Sequence, residues 1–263
     1  MTEIEGGTRR ADLFDHENSA ERDRLGLVET EQDPHTKARI ESFEPSDDWN
    51  CLEIGAGAGS IAYWLAGRCP DGHVVATDLD VSLLDGVGYP NLEIRRHDAE
   101  EETFAEGTFD LVHARAVLSH ICDRHGQLVK MAGWLRPGGW LLLEDPSGFT
   151  LDSSPDPLLR KASAASSVMM RRIGFDPDWS RGFPVPLQRA GLLDVGMECR
   201  LRMMRGGDVE AELLRLTFGQ IFDLLVDTGE ITAVELDAVQ AKLADPSFID
   251  FPPAFIRAWG RRG

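Results

Sequence analysis

The chain has 263 residues, 42% of them hydrophobic and 27% charged, with a formal net charge of -18. A surface that acidic repels phosphate backbones and anionic lipid, which argues against nucleic acid or a membrane surface as a partner. No stretch approaches the roughly 20 apolar residues of a membrane span, and the length suits one large α/β domain or two small ones.

In chain order, the first 24 residues are polar and charged throughout and lack the apolar core of a secretory signal peptide, so a cytoplasmic protein is expected. Residues 19–44 set Leu25, Val28, Ile40 and Phe43 among charges, with a break at Asp33-Pro34, which predicts two short amphipathic helices. After the turn-like PSDDWN, CLEIGAG reads as a strand running into a glycine loop, SIAYWLAGRC as a helix and HVVATDLD as a second buried strand. That β-α-β unit implies a parallel sheet. The alternation continues with VSLLDGV as a helix, NLEIRRHD and FDLVHARA as strands and HGQLVKMAGWL as a helix. Arg136-Pro137-Gly138-Gly139 then stops that helix ahead of a fifth strand at residues 140–144.

Beyond Asp145 a Ser- and Pro-bearing loop leads into a helix expected to lie over the edge of the sheet. LLDVGMECRLRMM reads as a strand and residues 211–226 as one helix, with Leu214, Phe218, Ile221, Phe222 and Leu225 at helical spacing. ITAVELDAVQAKLAD follows as a helix behind a Thr cap, and FPPAFIRAWGRR reads as the final strand. The pattern predicts a doubly wound, Rossmann-like α/β sheet of seven strands. The expected organisation is a single domain over residues 1–263: an N-terminal helical lid (1–48), a ligand-binding core (49–145), and helical insertions over the site with the last strands (146–263). Cys51, Cys69, Cys122 and Cys199 form no C-x-x-C pair, so they are expected to be buried small hydrophobes of a reducing compartment, with no metal site.

Gly55, Gly57 and Gly59 alternate behind the first strand, where a bare backbone can turn tightly and approach a ligand at the carboxyl end of an open sheet. A dinucleotide fingerprint would need Gly or Ala at position 60, which is Ser60, and a phosphate-binding Walker loop would need a Lys. Glu53, two residues before the first glycine, repels a pyrophosphate but suits a cation. Asp78 ends the next strand, where a carboxylate can accept ribose hydroxyls, and Asp98 ends the third. Three strand-end acids beside such a loop describe a nucleoside with a cationic end.

LEIGAGAG, VVATDLD, RRHDAE, FDLVHARAVLSH and LRPGGWLLLED resemble, in order and spacing, the motifs of class I S-adenosylmethionine-dependent methyltransferases, and the flanks resemble small-molecule, secondary-metabolite enzymes of actinobacteria. The resemblance implies that Glu53 with the backbone of Gly55, Ala56, Gly57 and Gly59 holds the methionine amino end of S-adenosylmethionine, and Asp78 its ribose. It further implies Leu79 beside the adenine, Asp98 and Ala99 at the adenine amino group, and His113 and Ala114 near the methionine carboxylate and the transferred methyl. Asp110 is expected to cap a strand. A hydroxyl or carbon acid as acceptor would need a base. His120 is the first candidate and His16 the second, and Arg115 is a candidate for an anionic acceptor or the cofactor carboxylate. The acceptor pocket is expected from the N-terminal helices, residues 146–185 and residues 208–245, with Phe14, Phe149, Met169, Met170, Trp179 and Phe218 suiting an aromatic or polyketide-like small molecule. Mg²⁺ is not expected, because the adjacent carboxylates of Glu144 and Asp145 point to opposite faces of a strand. The cofactor motifs leave open a non-methylating enzyme that uses the same ligand; a nicotinamide oxidoreductase and a binding module fit less well. The sequence carries no signal for oligomeric state.

Overall fold

In a computed structural model of the chain, residues 19–85 and 88–263 are described. The order of elements is α1 (Ser19–Glu41), β1 (Asn50–Ile54), α2 (Ser60–Arg68), β2 (His73–Asp78), β3 (Leu92–Arg96), β4 (Phe109–Arg115), α3 (Arg124–Trp134) and β5 (Leu135–Ser147). There follow α4 (Phe149–Asp152), α5 (Pro157–Arg172), α6 (Pro184–Arg189), β6 (Leu192–Arg200), β7 (Met204–Arg205), α7 (Val209–Gln220), α8 (Phe222–Val226), α9 (Ala233–Ala244), β8 (Ile249–Asp250) and β9 (Ala254–Arg262). Seven strands form one sheet in the order β3-β2-β1-β4-β5-β9-β6, while β7 and β8 pair separately. β1 to β5 are parallel, and β9 runs antiparallel between β5 and β6. The strand order reverses between β1 and β4, and that switch opens a crevice at their carboxyl ends.

The central strands are apolar on both faces because helices cover both. Leu52, Val112, Leu141 and Leu143 meet α3 and α6 on one face, and Cys51, Val74, Leu111 and Leu142 meet α1 and α2 on the other. A third core lies outside the sheet, where Leu159, Ala162 and Met169 of α5 pack with Leu214 and Phe218 of α7 and with Leu236 and Val239 of α9. This helical cap stands over the carboxyl edge. Among the described residues no helix is long and apolar enough to cross a membrane.

Four expected elements differ. The two N-terminal helices are one, α1, which runs through Pro34. A proline there removes a backbone hydrogen bond and crowds the preceding turn. The helix survives because both sides of the proline are anchored: Asp33 by Arg115 at 2.9 Å, Thr36 by Glu144 at 2.6 Å, and Ile40 by full burial. VSLLDGV forms turns over its described residues rather than a helix, and the amide of Ser82 donates to the Asp80 carboxylate at 2.9 Å. The Arg136-Pro137-Gly138-Gly139 stretch lies inside β5 as an irregularity in its pairing with β4, permitted by the left-handed φ of +84° at Gly138. The helix expected at 211–226 is interrupted at Ile221 between α7 and α8. The Thr cap is present: Thr232 and Glu235 form a reciprocal capping box on α9. Cys51 and Cys69 are buried as expected, but Cys122 and Cys199 are exposed.

Phe43, just past the end of α1, stacks on Trp140 with centroids 4.3 Å apart, so α1 is fastened to the sheet by apolar contact at its C-terminal end. Ile40→Ala should therefore lower stability by about 2–5 kcal/mol, read from the urea unfolding midpoint, since the buried site has rigid strands beneath it and cannot collapse.

Candidate functional site

A cavity of about 1060 Å³ lies at the carboxyl ends of β1 to β4, walled on the far side by α1, α5 and α7. That is the upper end of the range for pockets that hold one small ligand, so a donor and an acceptor can lie side by side.

The glycine loop forms one wall. Gly55, Gly57 and Gly59 have φ of +69°, +55° and +88°, a region that side-chain-bearing residues rarely enter. At Gly55 an added Cβ would also stand 2.4 Å from Val117 Cγ2. The amide of Ala56 donates to the Thr77 carbonyl at 2.9 Å, and the amide of Gly57 donates to Asp78 Oδ2 at 2.9 Å, which ties the loop to the end of β2. Asp78 keeps acceptor capacity for further donors. Glu53 is 2% exposed and lines the cavity, and its Oε2 is buried with no hydrogen-bond partner among the described residues. A buried carboxylate oxygen left in that state is costly unless a ligand donates to it. An ammonium group beside this loop fits those atoms, and a nucleoside ribose fits Asp78.

Beneath the cavity, acidic and basic side chains alternate across the sheet on the face that α1 covers. Glu53 on β1 is in register with His113 on β4, and Glu144 on β5 with Arg257 on β9. His113 Nδ1 stands 3.6 Å from Glu53 Oε1, and its Nε2 stands 3.3 Å from Glu144 Oε2. Arg257 pairs with Glu144 and donates to Gln32 Oε1 at 2.6 Å, and the Thr36 hydroxyl donates to Glu144 at 2.6 Å. Burial alone would lower the His113 pKa. The two carboxylates more than offset that and hold it up to about 9. Burial likewise opposes the charge on Glu144, and His113 with Arg257 and Arg115 overcomes it and holds the carboxylate down to about 2. Asp145 points the other way, and burial pushes it up to about 7 against the hydrogen bond it accepts from Ser119 Oγ at 3.2 Å.

Of the residues expected at the cofactor, Glu53, Gly55, Ala56, Gly57, Asp78, Leu79, Asp98 and Ala99 line the cavity. Gly59 does not, and instead it precedes α2 and accepts from the Tyr63 amide at 2.9 Å. His113 and Ala114 do not line it either: they are buried in the sheet, 0% and 2% exposed, and the wall there is made by Arg115, Ala116 and Val117. Arg115 reaches the cavity, but its guanidinium is occupied by Asp33 at 2.9 Å and by Thr36 and Ser60 at 3.3 and 3.4 Å, so it struts α1. His120 lines the cavity with its ring edge-on to Phe175 at 4.1 Å. Asp110 is structural, accepting from the Asn50 amide at 2.8 Å and pairing with Arg136. Phe14 and His16 lie outside the described residues.

The acceptor residues are redistributed. Phe218 lines the cavity, whereas Met169 is buried in the helical cap core, and Phe149 and Trp179 pack against the sheet core. Met170, next to Met169, faces the cavity with Ser163, Ser166 and Ser167 of the same helix. Those positions follow i, i+3, i+4, i+7 spacing, a periodic serine stripe that apolar counting passes over. Glu29, Gln32 and His35 of α1, and Arg200, Arg202 and Glu210, complete the wall; α1 and the segment from residue 208 were expected there, but these residues were not singled out.

The family model described as "Methyltransferase domain" matches residues 12–176. Methyltransferase str2 of Strobilurus tenacellus is 38% identical over 98 residues, 36% of this chain and 34% of that protein. A phosphoethanolamine N-methyltransferase of Triticum aestivum is 26% identical over 181 residues, 66% of this chain and 34% of that protein. The chain spans about a third of the length of these curated relatives. The solved structure of Haemonchus contortus phosphoethanolamine N-methyltransferase 2, in complex with phosphomonomethylethanolamine and S-adenosylhomocysteine, has the same fold, with a TM-score of 0.63 at 16% identity over 97% of this chain and 60% of that one.

The ion row has a pH signature. His113 is raised from 6.5 to about 9, so its contribution to stability is complete below pH 6.5 and is lost as pH rises through about 9. The urea midpoint of the native chain should fall between pH 7 and 9.5, and His113→Gln should be less stable at pH 7 and lose that decline.

Proposed function

The chain belongs to the methyltransferase-domain family, and from that premise we propose that it transfers a methyl group from S-adenosylmethionine to a small-molecule acceptor. The observation that carries this reading is the buried, unpartnered Glu53 Oε2 under a left-handed glycine loop whose next amide is tied to Asp78. In this reading Glu53 and the loop backbone hold the methionine ammonium, and Asp78 accepts from the ribose hydroxyls. Leu79, 52% exposed, covers one adenine face, with Asp98 and Ala99 at the edge of the base.

When bound, S-adenosylmethionine supplies an activated methyl on a sulfonium, so no residue of the chain needs to be a nucleophile. The chain aligns the two ligands, and an approach of about 3–3.5 Å along the line of attack accounts for several kcal/mol of the barrier. α1 and the helical cap exclude water from the space between them. A hydroxyl or carbon-acid acceptor must also lose a proton, and His120 on the described wall is the group proposed to take it at an imidazole nitrogen.

The acceptor wall combines Met170, Phe175 and Phe218 with the hydroxyls of Ser166, Ser167 and Thr217, which suits an apolar body bearing hydrogen-bonding groups. Natural products are the proposed class. The name of the wheat relative supports a small acceptor in this family, and the net charge of -18 disfavours nucleic acid. A reducing cytoplasm is the proposed setting, where the exposed thiols of Cys122 and Cys199 stay reduced.

Calorimetry should show S-adenosylmethionine binding, weakened roughly 10- to 100-fold in Asp78→Asn, the loss expected when hydrogen bonds to a charged acceptor are weakened. Incubation with an acceptor panel should give a product heavier by one methyl and an equal amount of S-adenosylhomocysteine. Binding without methyl gain across the panel would favour a non-methylating use of the cofactor, and absence of binding would overturn the reading.

A further inference from the structure

We propose that Glu29 reads the charge of the methyl donor: α1 carries its carboxylate over the glycine loop to the sulfonium end of S-adenosylmethionine, so the chain holds the cationic donor more tightly than the neutral thioether product. The proposal rests on the donor reading above and adds to it a residue of the helical lid.

Its position follows from the residues one turn to either side. Leu25, Glu29 and Asp33 are spaced i, i+4, i+8 and share one face of α1. Leu25 packs on the glycine loop, its Cδ2 3.7 Å from where a Cβ on Gly57 would stand. Asp33 is fixed at the other end, accepting from Arg115 at 2.9 Å and from Ser60 Oγ at 3.0 Å. Glu29 lies between these anchors, half-buried, on the cavity wall. The nearby cations are already engaged: Lys37 pairs with the second oxygen of Asp33 at 3.0 Å, and Arg115 with the first. Burial and the adjacent Asp33 charge push the Glu29 carboxyl up from its ordinary value, as for an anion short of a counter-cation.

The ligand supplies that cation only before transfer. At its methionine end the donor carries an ammonium, a carboxylate and a sulfonium. On transfer the acceptor's lone pair forms the new bond to the methyl carbon, the C–S bonding pair stays on sulfur, and sulfur becomes neutral. Glu53 Oε2 serves the ammonium from the sheet side in both states. Glu29 on the helix side would then have a partner in the donor complex and none in the product complex, and its hold on α1 weakens as the product forms.

The test uses the full chain and calorimetry with three ligands: S-adenosylmethionine, S-adenosylhomocysteine and sinefungin, the analogue that places a protonated amine where the methyl sulfonium stands. The native chain should bind the two cationic ligands roughly two- to fivefold more tightly than S-adenosylhomocysteine, the scale of a partly screened ion pair. Glu29→Gln should remove that preference by weakening the cationic ligands alone, and Glu29→Asp should restore part of it. Equal loss for all three ligands, or a preference that survives Glu29→Gln with the ligand-free melting temperature unchanged, overturns the proposal. If none of the three binds the native chain, the donor reading itself fails.

Discussion

Everything at the carboxyl edge of this sheet depends on burying four charges in a row. Glu53, His113, Glu144 and Arg257 come from four strands, are at most 2% exposed, and alternate in sign so that the row is neutral. Ions taken from water cost several kcal/mol each, and mutual pairing along the row is what offsets it. The row leaves an acceptor and a donor facing α1, which answers Glu144 with the Thr36 hydroxyl and Arg257 with Gln32 Oε1, while Asp33 answers Arg115. A helix with a proline in its middle and little amphipathic character is therefore held by polar contacts at its centre and apolar ones at Ile40 and Phe43.

The row also fixes the geometry above it. With His113 against Oε1 of Glu53, the carboxylate is turned so that Oε2 is left for the cavity. The orientation of an acid beside the glycine loop is thus set from beneath, by His113, which does not line the cavity. The two halves of the cavity differ in how they are built. The side along β1 to β3 is mainly backbone and strand-end acids, fixed by the sheet. The opposite side is made of side chains from α1, α5 and α7, elements joined by long stretches of chain, so its chemistry can change without disturbing the sheet.

The strands and the glycine loop were legible because their signals are local. A buried strand is a short apolar run, and Gly55, Gly57 and Gly59 stand where φ is positive, so composition alone marked them. The helices facing the cavity were partly legible. Met169 was read as wall and is core, while its neighbour Met170 is wall, because apolar character says a side chain avoids water and not which apolar surface receives it. His113 was expected near the ligand and is buried in the sheet without lining the cavity: the period of two in a strand alternates faces, but only the register with β1 and β5 reveals two carboxylates waiting on that face. Pro34 ended a helix on local grounds and was overruled by anchors up to 108 residues away in sequence.

The sequence by itself determined the doubly wound order of strands and helices, the turn at the glycine loop and the acids Glu53, Asp78 and Asp98 at strand ends, since each rests on backbone conformations and periodicities a few residues long. Tertiary structure alone decided that His113, Glu144 and Arg257 join Glu53 in one neutral row, that Arg115 struts α1, and that Glu29 lines the cavity. Those outcomes depend on which distant charges share a low-dielectric space, and pairing across the sheet, unlike helical or strand periodicity, leaves no mark in the spacing of residues along the chain.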